Sequence, residues 1–476
     1  MPEPATVTGE SSSGSRKRPR KRARKSKAKA DGHAADGSDG EQEQVAKQGD
    51  EAEAGPSAPA SKPEPVPQQV SVGSSSLKPN KTPAIPAPVA PAILSSNPHK
   101  PSVLPRPSIY GPRKYTLSVA LPSSIVLNAQ TMELKTRLVG SIARICAVFN
   151  VDEIIVFNEG LDQQSGPLYE AQGSYSGGGG GDREVFDPDS FTAMILQYLE
   201  TPQYLRKQLF PMHPNLRLAG LLPPLDCPHH LRFEEESPYR EGIVVEEPHY
   251  TSHRVNDSGN TVWVNVGSRE AMQCRVAGGA KAVLPPSGAR VTVEMPKSGR
   301  GLGTLVSPRT PVQNSGLYWG YSVRLASSLS QVFTSCPFSS PSASADSDQP
   351  AEYDLVIGTA ERGDSLTDLL YATQTGSSVP SSKPSSTGLG ASESEVNPLP
   401  AEGFTHALLL FGGLSGLEVA IERDEGIPLG LEDARELCDY WVDAVEGQGS
   451  RTVRTEEAIT ITLARLKTTF EQLGRR

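Results

Sequence analysis

The spacing of apolar residues after residue 112 predicts an alternation of strands and helices. TLSVAL begins at Thr116 and ends before Pro122, and such a short apolar run is typical of a buried strand. Apolar residues between Leu134 and Phe149 then recur at helical spacing, and Ile154 to Phe157 form a second short run. This order predicts a β-α-β unit of an α/β domain, followed by another helical pattern from Phe191 to Leu209.

The pattern changes at Tyr239 to short segments in which apolar and polar residues alternate. GIVVEE, TVWVNV and RVTVEM are separated by the turn signals DSG, GG and PPSG, which predicts a small all-β barrel or sandwich. The α/β pattern resumes with YWGYSVRLASSLSQVF, from Tyr318 to Phe333. We therefore predict a first α/β part over residues 113–238, a β insertion over 239–327 and a second α/β part over 328–476.

Composition changes the picture at the N-terminus and in two inserts. Residues 1–112 are rich in Ser, Pro, Ala, Gly, Lys and Glu and contain almost no aromatic residues, which predicts a disordered tail. Residues 339–349 and 377–400 have a similar low-complexity composition. Because they lie between predicted strands, we expect surface loops there.

The net charge of −9 hides an asymmetry along the chain. Arg16 to Lys29 carries ten of the 46 basic residues and no acid, whereas residues 31–476 hold 36 basic and 53 acidic residues. A dense basic cluster on a flexible terminus predicts a nuclear or nucleolar import signal read by an import receptor, with contact to RNA as a further role, and a solubilising tail is the alternative. The acidic remainder argues against a broad basic face for nucleic acid, so any RNA contact there must be a local patch.

The five cysteines show no CxxC pair, which fits reduced thiols in an intracellular protein. No apolar signal-peptide core and no run of about 18 apolar residues occur, so we expect neither secretion nor a membrane span. The segment DCPHH, Asp226 to His230, contains metal-ligating residue types. The other His and Cys residues are too scattered to complete a set, so no metal is predicted and capping or core roles are favoured.

Three glycine-bearing segments in the second α/β part suggest a cofactor site. They are IGTAERG (Ile357 to Gly363), LLLFGGLSG (Leu408 to Gly416) and EGQGS (from Glu446). Ligands of open α/β sheets bind outside the carboxyl ends of the strands, and glycines let the backbone approach a flat ligand. A tight turn or an ordinary loop without a ligand remains open for these segments. The GxGxxG spacing is missing, so a nicotinamide oxidoreductase is poorly supported.

The last glycine segment runs into an amphipathic helix. Glu456 and Glu457 suit its first turn because they complement the helix dipole. Five apolar residues then recur at helical spacing: Ile459, Leu463, Leu466, Phe470 and Leu473. This stripe predicts core packing or a dimer face.

Nine segments together resemble a known family. In chain order they are YTLSVALP, VDEIIVF, LQYLETPQYLRKQLFP, AGLLPPLD-PHH (with Cys227 outside the match), REGIVVE, GLYWGYSVRLA, IGTAERG, LLLFGGLSGLE and GQGSRTVRTEEAI. They closely resemble RNA methyltransferases of the SPOUT superfamily, in the eukaryotic and archaeal branch with human and fungal nucleolar members. The resemblance covers about Arg113 to Gly474 outside the low-complexity inserts.

The resemblance implies a trefoil-knotted α/β fold with an inserted OB-fold-like barrel. It further implies S-adenosyl-L-methionine bound in the knot, a homo- or heterodimer, and large-subunit ribosomal RNA in pre-60S particles as the partner. Methylation of a uridine N3 atom during ribosome biogenesis in the nucleus, specifically the nucleolus, is then the expected activity. The rival hypothesis is a non-catalytic RNA-binding assembly or scaffold factor that retains the knot.

The family's cofactor contacts fall on six residues of this chain: Arg362, Gly412, Asp443, Gln448, Gly449 and Thr452. No catalytic residue is assigned, but Glu361 and Asp443 are candidate bases and Arg362 a candidate stabiliser of the developing anion. Relatives tend to carry an amide where Asp443 stands and a proline where Glu446 stands. These two acids would suit a cationic sulfonium, or they would indicate relaxed selection on activity.

The β insertion would bind single-stranded or looped RNA by stacking and local charge. Trp263, Arg269 and Arg275 are the candidate contacts. Trp319 and Tyr321 are expected to be strand residues that pack at the junction with the α/β part.

Overall fold

The computed structural model describes residues 108, 110–160, 186–248, 260–278, 282–297, 301–338, 352–383, 395–413, 416–430 and 435–474. The predicted disordered tail up to residue 107, with the basic cluster Arg16 to Lys29, and the insert at 339–349 lie outside these residues. No helix among the described residues is both long and apolar enough to span a bilayer.

Thirteen strands are defined in this part of the chain. They are β1 (Thr116–Pro122), β2 (Glu153–Phe157), β3 (Tyr239–Val245), β4 (Thr261–Asn265), β5 (Met272–Arg275), β6 (Arg290–Glu294), β7 (Gly303–Val306), β8 (Ser322–Ala326), β9 (Leu355–Ser365), β10 (Val379–Pro380), β11 (Glu395–Val396), β12 (His406–Leu410) and β13 (Tyr440–Asp443).

Eight α-helices and three short 3-10 helices accompany the strands in the described residues. The α-helices are α1 (Met132–Val148), α2 (Pro188–Glu200), α3 (Gln203–Leu209), α4 (Thr310–Ser315), α5 (Ser330–Thr334), α6 (Leu366–Thr375), α7 (Glu418–Arg423) and α8 (Thr455–Leu473). The 3-10 helices are Ser123–Asn128, Pro214–Leu216 and Ala219–Leu221.

Six strands form one parallel sheet in the order β13-β9-β12-β1-β2-β8. Alternate residues of the central strands face opposite sides, so Ile154 and Val156 join one core while Ile155 and Phe157 join the other. The first core also contains residues of α1, α2, α6 and α8, and the second contains residues of α5 and α7. Both faces of the sheet are therefore covered, as parallel sheets require.

The strands of the β insertion form a separate sheet. This sheet closes into a barrel with the strand order β3-β4-β5-β7-β6. All neighbouring pairs are antiparallel except β5 and β7, which run parallel. A mixed α/β fold with an inserted closed barrel is thus confirmed. The barrel strands end at Val306, however, and β8 pairs with β2 in the large sheet, so residue 327 is not the end of the β module as the sequence predicted.

The single helix predicted from Phe191 to Leu209 is two helices. Thr201 adopts an extended backbone (φ −70°, ψ 130°) between α2 and α3. Pro202 follows it, and a proline disfavours the helical conformation of the preceding residue and lacks the N–H that would continue the ladder. The break places Glu200 at the end of α2, where it faces the barrel.

Part of the insert at 377–400 is not a surface loop as predicted. β10 and β11 pair as an antiparallel hairpin, with Val379 opposite Val396. Val396 and Leu399 are buried in the first core. The apolar residues of this serine-rich stretch therefore anchor its two ends to the α/β part.

Candidate functional site

The predicted loop IGTAERG lies at the carboxyl edge of the sheet within a long, irregular strand. β9 pairs with β12 only as far as Gly358, and Thr359 then donates a hydrogen bond from its hydroxyl to the Leu410 carbonyl (2.9 Å). On the β13 side, Gly358 pairs with Trp441 but Asp364 pairs with the next residue, Val442. Residues 359–363 therefore bulge out of the sheet, so the strand does not end in a loop as expected but still presents these residues at the edge.

Gly363 lies where the bulge of β9 packs directly against β13. A Cβ atom at this position would lie 2.4 Å from the backbone carbonyl carbon of Val442, a distance that no side chain can occupy. The backbone of the bulge is therefore in direct contact with the strand that ends at Asp443. This contact joins the first predicted segment to the strand that precedes the third.

Gly412 forms a comparably tight turn at the end of β12. A Cβ atom there would lie 2.5 Å from the backbone of Gly416, and the Gly412 carbonyl accepts a hydrogen bond from the Thr455 hydroxyl (3.2 Å). Thr455 is the first residue of α8. The second predicted segment is thus joined to the helix that follows the third.

A buried carboxyl group that sequence analysis missed lies beside this turn. Glu159 follows β2, is 6% exposed and accepts a hydrogen bond from the Ser124 hydroxyl. Burial raises the pKa of Glu159 above its ordinary value, although donors at Ser124 and the Gly413 backbone and the charge of Arg423 oppose the rise. No spacing rule marks this residue, because it becomes relevant only where β1, β2 and β12 end side by side.

Asp443, at the end of β13, is the most buried polar side chain among the six predicted cofactor contacts. One carboxylate oxygen accepts a hydrogen bond from the Val445 backbone N–H (2.9 Å), and the other forms a salt bridge with Lys383. The Lys383 ammonium also donates to the Glu361 carbonyl (2.9 Å). Lys383 thereby links the β9 bulge to the end of β13, a role that its place in a low-complexity insert did not reveal.

The Glu446 carboxylate is not free to contact a cofactor, because it is already hydrogen-bonded within the protein. It accepts hydrogen bonds from Arg465 (2.5 Å), from the Ser365 hydroxyl (2.9 Å) and from the Thr367 backbone N–H (2.8 Å). Burial opposes ionisation, but these donors outweigh it and lower the pKa of Glu446 to about 2. Glu446 therefore fastens the glycine loop to α6 and α8, contrary to the expectation that it would suit a sulfonium.

The remaining predicted residues are more open. The side chains of Arg362 and Glu361 are exposed, and the Arg362 carbonyl accepts a hydrogen bond from Arg435 (3.3 Å). Gln448 is half-buried, whereas Gly449 and Thr452 are exposed. The structure thus joins Glu361 to Asp443 and Gly412 to α8, and it leaves the other predicted contacts around the rim.

A cavity of about 230 Å³ lies next to this edge, between β13, α6 and β11. Asp364, Arg435, Tyr440 and Val442 are among its lining residues, but none of the six predicted cofactor contacts is. We place the candidate site at the strand ends and not in this cavity, because the backbone contacts and the partly buried carboxylate converge there.

The DCPHH segment lies at the junction between the α/β part and the barrel. The donor atoms of Cys227, His229 and His230 come within 4.8 Å of one another. The Nε2 atoms of both imidazoles already contact the Glu200 carbonyl (2.9 and 2.6 Å), and Arg290 binds the Glu200 carboxylate (2.6 Å). A cation would have to displace these hydrogen bonds beside a guanidinium, so the grouping is explained by the polar junction.

Glu241 completes this junction from the barrel side. Its carboxylate accepts hydrogen bonds from Arg290 (2.7 Å), from Thr292 (2.6 Å) and from the Trp319 indole N–H (2.5 Å). Tyr321 donates a hydrogen bond to the Leu196 carbonyl of α2 (3.0 Å). Trp319 and Tyr321 therefore pack the junction as predicted, although they precede β8 and do not belong to it.

The three candidate RNA contacts lie on or beside β4 and β5. Trp263 is half-buried opposite Gln273, and Arg275 is exposed two residues farther along β5. Arg269 is exposed in the connection between these strands, with its guanidinium 5.8 Å from the Phe233 ring centre. Successive strand residues alternate between faces, so Trp263 and Arg275 share the outer face of the barrel.

Comparison with known proteins identifies the family. Residues 116–466 match the model of the family described as "Putative RNA methyltransferase". The chain is 42% identical to a mouse 28S rRNA (uridine-N(3))-methyltransferase over 370 residues, which cover 76% of this chain and 79% of the relative.

The human and fruit-fly proteins of the same name are similar. The human protein is 41% identical, with 76% of this chain and 81% of the relative covered. The Drosophila melanogaster protein is 37% identical, with 75% and 62% covered. The family match spans both α/β parts and the barrel, and the relatives align over the same large share of the chain. The chain therefore belongs to the RNA methyltransferase family of the SPOUT superfamily, as its sequence segments predicted.

Proposed function

We propose that this chain uses S-adenosyl-L-methionine to methylate a uridine N3 atom of large-subunit ribosomal RNA. The observation that carries the proposal is its identity of about 40% to named 28S rRNA (uridine-N3) methyltransferases over three quarters of its length. The strand-end site is consistent with that chemistry.

The residues present fit the cofactor. A partly buried carboxylate at Asp443 suits a cationic ligand, and the glycine loop leaves room for a flat one, because a Cβ atom at Gly447 or Gly449 would meet nothing within 4 Å. Asp443, Gly412, Gln448, Gly449, Thr452 and Arg362 would hold it. When bound, the cofactor supplies an activated methyl group, and the protein contributes alignment.

Uridine N3 carries a proton that must leave before the nitrogen can attack. Glu361 and Asp443 are the proposed acceptors, and both lie at the strand ends, where Lys383 donates to the Glu361 backbone carbonyl and pairs with the Asp443 carboxylate. The exposed Arg362 guanidinium would stabilise the negative charge that develops on the base.

Two architectural proposals accompany this function. The barrel order β3-β4-β5-β7-β6, with one parallel pair, supports an OB-like fold that binds RNA through Trp263, Arg269 and Arg275. The trefoil knot is supported by the course of the C-terminal segment. It leaves β13, meets the end of β12 at Gly412, and returns to the start of β12, where Gly474 bridges to Phe404.

The domain limits, assembly and location are proposals as well. For the limits we propose a first α/β part over residues 113–238 and a β insertion that begins at residue 239 and ends before β8, with which the second α/β part begins. We expect a dimer, import through Arg16 to Lys29, and a nucleolar location with pre-60S particles.

Deletion of Arg16 to Lys29 from a fluorescently tagged chain should move the protein to the cytoplasm. Unchanged nuclear fluorescence of the deletion variant would contradict the import signal.

The experiment that tests the enzyme proposal combines calorimetry with a transfer assay. The full chain should bind S-adenosyl-L-methionine and transfer a labelled methyl group to large-subunit rRNA fragments. Absence of binding, both alone and with RNA, would favour the non-catalytic scaffold hypothesis. Asp443 is paired with Lys383 and Glu446 with Arg465, so the fold accommodates both departures from the family pattern without an unpaired charge.

A further inference from the structure

Lys383 places a positive charge next to Asp443, whose carboxylate we propose as a contact of the cofactor. Its ammonium has two acceptors, the Asp443 carboxylate and the Glu361 carbonyl. The side chains of Lys383 and Asp443 are 29% and 10% exposed, so water screens the pair only in part.

This position is built by the surrounding structure and is not that of a freely moving surface lysine. Ser382 donates its backbone N–H to the Asp368 carboxylate of α6 (2.7 Å). The hairpin β10–β11 fixes the preceding residues, and the Ser378 hydroxyl donates to the Asn397 side-chain oxygen (2.8 Å). The backbone that leads into Lys383 is therefore held by α6 at Ser382 and by the β10–β11 pairing just before it.

We infer that Lys383 competes with the positive charge of the cofactor for Asp443, and is thus a specificity-determining residue of the site. The inference rests on the proposed cofactor site. A cation bound at Asp443 must displace the Lys383 ammonium or share the carboxylate with it, and either event weakens binding. A ligand without positive charge does not meet this competition.

Three ligands separate the charges involved. S-adenosyl-L-methionine carries a sulfonium, an ammonium and a carboxylate, S-adenosylhomocysteine carries the ammonium and the carboxylate, and 5′-methylthioadenosine carries none of them. Lys383→Met removes the competing charge but keeps a side chain of similar length. We expect it to tighten S-adenosyl-L-methionine binding about fivefold, the size typical of a partly exposed ion pair, and to leave 5′-methylthioadenosine unchanged.

The measurement is calorimetric titration of the full chain with each ligand. Lys383→Arg retains the charge and should behave as the unmodified chain. Lys467→Met is the matched control, because Lys467 forms a partly exposed ion pair with Glu471 on α8 (3.7 Å). Tighter binding of S-adenosylhomocysteine as well would assign the competition to the amino group, and unchanged binding would assign it to the sulfonium.

The same Lys383 substitution in a chain that lacks the Asp443 carboxylate tests whether the effect on binding depends on Asp443. In Asp443→Asn, Lys383→Met should no longer change the affinity for S-adenosyl-L-methionine. Unchanged or weaker binding in the single variant, or equal tightening for 5′-methylthioadenosine, would overturn the inference while the proposed function stands. If the unmodified chain binds no S-adenosyl-L-methionine at all, the proposed function fails and this inference fails with it.

Discussion

At the scale of single residues, the ion-pair partners of Asp443 and Glu446 decide which of these acids belongs to the candidate site. The family pattern in the sequence indicated where Asp443 and Glu446 stand, but not what they contact. Their partners Lys383 and Arg465 lie 60 and 19 residues away, and only the folded chain brings each pair together. The two acids look alike in the sequence, yet Asp443 lies at the candidate site whereas Glu446 fastens a loop.

Gly449 offers a clean test of the predicted cofactor contacts. A Cβ atom at this position would meet nothing within 4 Å, so Gly449→Ala should change the free energy of unfolding by less than about 0.5 kcal/mol. If the cofactor backbone contact is real, the same methyl group should weaken S-adenosyl-L-methionine binding by about tenfold. Calorimetry on Gly449→Ala measures this, with Gly220→Ala, another uncrowded glycine, as the control.

Equal affinity in Gly449→Ala and the unmodified chain would remove Gly449 from the site. Gly412→Ala cannot serve for this purpose. Its Cβ atom would lie 2.6 Å from the backbone nitrogen of Leu417, so a loss of affinity could follow from distortion of the turn alone.

The low pKa of Glu446 predicts how the free energy of unfolding depends on pH in the acid range. Its pKa is about 2 in the folded chain, below the value of about 4.3 for an unfolded glutamate. The stability that its ionised form contributes is therefore present above about pH 4.3 and is lost as the pH falls toward 2. Glu446→Gln should flatten the dependence of unfolding free energy on pH in this window, measured by chemical denaturation.

The control for this prediction is Glu133→Gln. Glu133 pairs with Arg137 on the surface of α1, where both side chains are about half exposed (51% and 58%). Acid profiles that remain parallel for Glu446→Gln and the unmodified chain would show that the Arg465 contact does not stabilise the folded state.

At the scale of elements, local periodicity predicted what is long and regular. β1, α1 and α8 were found from their apolar spacing, and the predicted stripe of α8 is packed in the first core. β13, with four residues, and the β10–β11 hairpin, with two residues a strand, are too short to show a period. Their place is set by tertiary contacts, so the sequence indicated the glycine segments of the candidate site but not the short strands that hold them.

The junction between α2 and the barrel gives the element-scale prediction. Arg290 is bonded to both Glu200 and Glu241, whose side chains are 7% and 4% exposed. Arg290→Met would leave two buried carboxylates without their cation, which should lower the free energy of unfolding by about 3–5 kcal/mol. Denaturant unfolding of this variant checks the value.

The exposed pair Arg137–Glu133 again supplies the comparison. Arg137→Met should cost less than about 0.5 kcal/mol, because exposed pairs along a helix contribute little. Similar losses for the Arg290 and Arg137 variants would mean that the junction tolerates unpaired carboxylates and that the barrel is not fixed by this network.

At the scale of the whole molecule, the proposed roles are divided between two sites. The strand ends would hold the cofactor, and the outer face of β4 and β5 would hold RNA. Trp263→Ala should therefore weaken binding of a single-stranded rRNA fragment by about 1–3 kcal/mol through lost stacking, and leave S-adenosyl-L-methionine affinity unchanged. Fluorescence anisotropy and calorimetry measure the two affinities.

The exposed Tyr371 of α6 provides an aromatic control away from the barrel face. Tyr371→Ala should leave RNA affinity unaltered. If Trp263→Ala has no effect on RNA affinity, or if both variants reduce it equally, the outer face of β4 and β5 is not the RNA contact.

The most direct test of the central claim is nucleoside mass spectrometry of rRNA after reaction with the purified full chain. Large-subunit rRNA fragments from cells that lack the protein would be incubated with the chain and S-adenosyl-L-methionine that carries an isotopically labelled methyl group. We predict labelled 3-methyluridine, reduced at least tenfold by Gly449→Ala at limiting cofactor. Cofactor binding without any labelled 3-methyluridine would contradict the proposed reaction.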